Sequence, residues 1–307
     1  MTLRTPTAPR RHGPRRWRHS ACAGAVAAVL AAVPCGASQE SRAATPSAPV
    51  STPELPAEVG APLSLEAGKH HFYNARFETA VEVTRALEAQ QPDDLAVHEL
   101  RSSALLFQLK RLLEPRGKKV LLKSCPSCPE LIRQFTADFH HARDMAKARV
   151  AASPDDVEAR FFLGKLNLNY IWLQLGPLGK KTGWNEYWEG RRLLDEVLAV
   201  RPDHVRARIG RAWIDYIVDT RMPRMTKWVL GGGNKKRGLS VVEEVANNAS
   251  AEPFVAAEAI FALWDMQVRE KQIPSAILTA RRLAREFPDN PDLAKFLAAN
   301  EAQATTR

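Results

Sequence analysis

Over much of the chain, apolar residues recur with a helical period, and proline cuts the pattern at regular places. Ala80 and Pro92 stand twelve residues apart, and so do Ala142 and Pro154, Gly190 and Pro202, and Ala276 and Pro288. Each pair brackets a stretch with one apolar face, as in Ala80-Val81 to Leu87, Leu193-Leu194 to Val197-Leu198, and Ile277-Leu278 to Leu283. The endings are alike: Gln91-Pro92-Asp93-Asp94, Ser153-Pro154-Asp155-Asp156, Arg201-Pro202-Asp203-His204 and Phe287-Pro288-Asp289-Asn290. Proline cannot continue a helix, and the Asp that follows can cap the next one. The pattern predicts helix–turn–helix units stacked in series.

Small residues fall at matching places within these units. Gly68, Ser102, Gly164 and Ala212 occupy one position, and Ala80, Ala142, Gly190, Gly238 and Ala276 another. With these residues, with Leu163-Gly164, and with Asn74-Ala75-Arg76-Phe77-Glu78-Thr79-Ala80 leading into a second helix, the chain resembles the tetratricopeptide family. The resemblance spans roughly residues 61–304. It implies an all-α solenoid of about five A–B helix pairs, in which the small residues let helices A and B cross closely. The first unit, about 61–94, and the last, about 257–290, have the family's standard length, although Trp264 replaces the small residue in the last helix A. A terminal helix over 292–302 is expected to cover the open end. Between A and B, repeat two carries about 28 extra residues and repeats three and four about 14 each, and insertions of this kind emerge along one edge of a solenoid.

The resemblance also implies a concave groove lined by the A helices, where an extended peptide or partner tail binds. By position it points to Lys69, Phe72 and Tyr73 in repeat one, and to Phe161, Lys165 and Asn169 in repeat three. Repeat four offers Arg206, Trp213 and Tyr216, and repeat five Asp265 and Arg269. Core packing is the competing reading for the aromatic members of this set. The enlarged connections are basic. They hold Lys118 and Lys119, then Lys180 and Lys181, then Arg224, Lys227, Trp228, Lys235 and Lys236. On a shared edge these would suit an acidic protein or an anionic membrane surface. As ordinary solvated loops they would bind nothing, with their Trp residues packed back on the repeats.

Other chemistry is sparse. The run Gly231-Gly232-Gly233 lacks the strand and the Gly-Lys-Ser/Thr ending of a phosphate loop. Cys125 and Cys128 form a Cys-x-x-Cys, open to four readings: a structural disulfide, inert thiols, a redox pair, or part of a metal site. No strand precedes it as in a thioredoxin-type enzyme. The adjacent His140 and His141 point in different directions on a helix and cannot easily chelate one ion together. His70-His71 and the acids Asp215, Glu243 and Glu244 read as polar helix faces rather than catalytic groups. No cofactor and no enzymatic activity are expected.

Charge changes the picture less than its size suggests. The net is +10, but seven Arg against one Glu give residues 1–43 a charge of +6, leaving +4 for the remainder. That argues against nucleic-acid binding. Those first 43 residues read as a secretory signal: an Arg-rich start, the apolar run Ala21–Val33, and small residues allowing cleavage after Ala37 or Ala43. At 13 residues the run is shorter than the roughly 20 needed to span a bilayer. Residues 44–62, with Pro at 46, 49, 53, 56 and 62, read as an extended linker, and 63–304 as the repeat domain. The expected function is a non-catalytic protein–protein scaffold of the periplasm or cell envelope. The alternatives are a thiol–disulfide redox protein or a peripheral lipid-binding protein.

Overall fold

The computed structural model describes residues 63–113, 124–248 and 252–304; the expected signal, the linker, and Lys118 and Lys119 lie outside them. Among the described residues all regular structure is helical. The helices are α1 (Leu65–Tyr73), α2 (Phe77–Glu88), α3 (Leu95–Leu113), α4 (Cys128–Ala152), α5 (Val157–Leu175) and α6 (Trp184–Val200). They continue with α7 (Val205–Arg221), α8 (Arg224–Val229), α9 (Lys235–Asn247), α10 (Pro253–Arg269), α11 (Ile273–Glu286) and α12 (Pro291–Ala304). Five A–B pairs follow in order: α1/α2, α3/α4, α5/α6, α7/α9 and α10/α11. Helix α12 packs on the last pair, and each A helix also meets the A helix of the next repeat or the B helix before it.

The prolines end the B helices as expected, and the caps sit one residue further on than the Asp beside each proline. Asp94 accepts from the Ala96 amide, Asp156 from Ala159, the His204 ring from Ala207, and Asn290 from Asp292 and Leu293. A residue two past the proline has room to reach the orphan amides of the next first turn. The two standard-length repeats share one A–B turn as well. Ala75 and Lys271, at matching positions, both take the left-handed conformation with φ of 59° and 60°.

The small residues lie at the A–B crossings. A Cβ built on Gly190 would stand 3.1 Å from the Gly164 carbonyl oxygen, and one on Gly238 would stand 2.7 Å from that of Ala212. Trp264, which replaces the small residue in α10, is half-buried and meets Phe296 of α12 edge-on, with ring centroids 5.5 Å apart.

Much of the extra length expected in the connections is instead helix. α3 and α5 each run 19 residues, α6 and α7 each 17, and α4 runs 25. Extending a paired helix buries another turn against its neighbour, so the added sequence thickens repeats two and three and leaves a short linker at 176–183, whereas in repeat four 222–234 remains a connection that carries α8.

The first and last repeats meet. Asn290 donates to the Tyr73 carbonyl at 2.7 Å, the Asp289 amide donates to Asn74 Oδ1, and Arg76 pairs with Asp289 at 2.6 Å. The Tyr73 ring stacks on Phe254 and Phe261 of α10 and touches Phe287.

Candidate interaction surfaces

Two of the sequence-derived sets are brought together by this architecture, and they come out differently. Along the inner face, Arg206 of α7 sits at the centre of an ionic cluster. Its Nη2 donates to Glu99 Oε2 of α3 and its Nε to Glu258 Oε2 of α10, both at 2.7 Å, and Lys165 Nζ of α5 donates to Glu258 Oε1 at 2.7 Å. Ser103 donates to the other Glu99 oxygen, and Asn169 donates to Ser102 and Ser103. Arg206 also lies over the Phe161 ring, 4.9 Å from its centroid. Burial by itself would raise both carboxyls. The Arg206 and Lys165 charges outweigh it, holding Glu258 at about 2 and Glu99 below the usual range. Tyr73 is held neutral, its pKa raised well above 10 by burial and by Glu258.

Lys165, Asn169, Arg206 and Tyr73 are therefore each taken up by partners within the protein, with Tyr73 donating to the Phe254 carbonyl, and Lys69 lies 5.7 Å from the centre of the Phe254 ring. Phe72 packs against Phe77 and Phe107 in the core of the first two repeats, and the other groove candidates form a separate cluster: Arg269 pairs with Asp265 and lies over the Trp213 ring, while Tyr216 is buried and donates to Glu270.

The edge is built differently. Helix α8 projects Met225, 86% exposed, and Trp228, 84% exposed, three residues apart and therefore on one face. Its return is locked. Arg191 of α6 donates to the carbonyls of Leu230 at 2.6 Å, Gly231 at 3.0 Å and Gly232 at 3.3 Å, and Tyr187 donates to Leu230 as well. Asp219 accepts from Lys227 Nζ at 2.7 Å and from the Lys235 amide at 2.9 Å. The glycine run serves this fold-back. Gly231 and Gly232 have φ of 76° and 73°, and a Cβ on Gly233 would lie 2.5 Å from the Asp219 amide nitrogen.

The 176–183 linker leads into the same first turns of α6, where Trp188 is exposed and lies beneath Arg191. Lys180, Lys181, Arg224 and Lys236 are exposed, whereas Lys227 and Lys235 are engaged by Asp219 and Glu270. Sequence reasoning missed Met225, Trp188 and the Arg191 clamp, because a clamp on main-chain carbonyls leaves no residue pattern.

Cys125 and Cys128 are joined in a disulfide at the start of α4, with Cys128 buried. The loop they close is only four residues, for which chain entropy supplies at most about 2 kcal/mol. Cys125→Ser is expected to lower unfolding stability by no more than that, read by urea denaturation in oxidising and reducing buffer.

Five helix pairs packed in series, with close A–B crossings at the small positions, decide the fold. It is an all-α helical-repeat solenoid. No protein-family model and no curated protein matches the sequence. Among solved structures, the chain is similar to the crystal structure of TTC0263, a thermophilic TPR protein in Thermus thermophilus. The identity is 12%, the TM-score is 0.44, and the match covers 78% of this chain and 97% of that one.

Proposed function

We propose that this tetratricopeptide-type protein is an exported, non-catalytic protein–protein scaffold of the periplasm or cell envelope, and that it holds its partner at the α6–α8 edge rather than in the groove. The observation that carries this reading is the exposure of Met225 and Trp228 on a segment fixed by the Arg191 clamp. A large apolar side chain held in water without cover gains most when a partner pocket receives it, and a pre-ordered segment loses little entropy on binding. Arg221 and Arg224 at the start of this segment and Lys236 and Arg237 just after it are exposed, so a matching surface would be acidic around an apolar pocket.

Trp228→Ala is expected to leave thermal stability unchanged and to abolish capture of the partner. The measurement is crosslinking in the native envelope fraction followed by mass spectrometry, with partner affinity falling by about 2 kcal/mol or more, roughly a 30-fold loss. Capture that survives Trp228→Ala and Met225→Ala but is lost on changing Trp213 would return the binding surface to the groove. Salt-sensitive attachment to anionic vesicles, lost in Trp228→Ala, with no protein crosslinked, would make the edge a lipid-binding surface.

A further inference from the structure

We infer that Glu88, His98 and His141 form a site for a divalent transition metal of the Zn2+ type, at the junction of the first and second repeats. The three residues come from separate helices: Glu88 ends α2, His98 lies in the first turn of α3, and His141 lies midway along α4. One ligand atom from each lies within 4.8 Å of the other two. Two imidazoles and one carboxylate are a set that binds Zn2+ while leaving a position open. Around a tetrahedral ion with bonds of about 2.0–2.1 Å, neighbouring ligand atoms stand roughly 3.4 Å apart, so small side-chain rotations close the set.

The surroundings favour this use. The His98 ring is fully buried, and its Nδ1 lies 3.0 Å from Asp138 Oδ1. A carboxylate behind one ring nitrogen fixes the ring and directs the other nitrogen outward to a ligand, as is common behind metal-binding histidines. That other nitrogen, Nε2, lies 3.1 Å from the Pro92 carbonyl and 3.9 Å from Glu88 Oε1. Arg101 holds the second Glu88 oxygen at 2.5 Å, shares Asp138 Oδ1 with the His98 ring, and places Nη2 2.9 Å from His98 Nδ1. Its guanidinium therefore stands on the Nδ1 side, between two carboxylates. The remaining Asp138 oxygen is buried without a hydrogen-bond partner, so the pocket keeps negative charge that the protein's donors leave unused. His141 is exposed and opens the site to solvent.

Titration of Zn2+ alone into the full chain, followed calorimetrically, is expected to show one equivalent bound. Co2+ in its place is expected to give the visible absorption of a low-coordinate ion. His141→Ala and Glu88→Gln, both outside the packed core, should each weaken binding by at least about tenfold. Thermal unfolding without metal checks that both variants are folded, and His141→Gln replaces His141→Ala if that variant is not. Absence of binding would overturn the inference, as would binding that persists undiminished in His141→Ala or that is lost in His70→Ala.

Discussion

Replacing Arg206 by Ala is expected to destabilise the fold by about 2–4 kcal/mol. Breaking a fully buried ion pair by removing one partner costs about 3–5 kcal/mol, because the remaining charge is left in a poor solvent. Here the removed cation serves two carboxylates from helices far apart in sequence. Glu99 is buried, and among the described residues Glu258 keeps the Lys165 ammonium as its cation. The expected loss is set below the fully buried case because the Arg206 and Glu258 side chains are 22% and 15% exposed. Urea denaturation at neutral pH gives the loss directly, and adding Glu99→Gln to the Arg206→Ala variant should recover part of it.

The same cluster sets a pH signature whose sign differs between the two proteins. In the native chain, Glu99 and Glu258 have pKa values below the roughly 4.3 of an unfolded glutamate, with Glu258 at about 2. Their contribution is therefore complete above about pH 4.3 and is lost as pH falls from there toward about 2. Without Arg206, burial dominates at Glu99 and raises its pKa, so Glu99 destabilises the variant increasingly as pH rises through that value. The stability gap between the two proteins should therefore narrow on acidification from about pH 7 to about pH 4. A constant gap would mean that Arg206 contributes by packing on Phe161 rather than by charge.

The cluster also shows what the sequence makes legible. Helix pairing, the prolines and the small crossing residues are local patterns, and each has its counterpart in the structure. Lys165 and Arg206 are legible as polar residues on inner faces. Glu258 was open to the same reasoning, because it precedes Trp264 by six residues just as Arg206 precedes Ala212. Equivalent positions with opposite charges in successive repeats are a signal that the inner faces pair with each other. The meeting of the first and last repeats is different in kind. Tyr73 and Asn290 carry nothing that announces a contact across 217 residues, since the superhelical path that brings them together is summed over every crossing between. The lengthened helices were hidden for a simpler reason: periodicity continued past the expected ends, and spacing between small residues counts added turns as though they were loop.

Gly238→Ala tests those crossings with a predicted sign opposite to local propensity. In a helix interior, Ala is favoured over Gly by about 1 kcal/mol. At this position the new Cβ would stand 2.7 Å from the Ala212 carbonyl oxygen and 3.3 Å from the Tyr216 backbone nitrogen. Backbone on the facing helix cannot yield as a side-chain end does, so α7 and α9 must separate along their contact. Overpacking of this kind costs about 1–3 kcal/mol, and set against the propensity gain the expected net is a destabilisation of up to about 2 kcal/mol. Gly164→Ala is the matched comparison. Its Cβ would meet its nearest neighbours at 3.4 Å, an ordinary contact, so there the propensity gain should prevail and stability should rise. Opposite signs in the two variants, read from denaturant midpoints, would show that the closest helix approach lies in repeat four, next to the segment that carries Trp228. Two stabilised variants would show that α7 and α9 stand further apart, and that the Arg191 clamp rather than the crossing fixes the exposed edge.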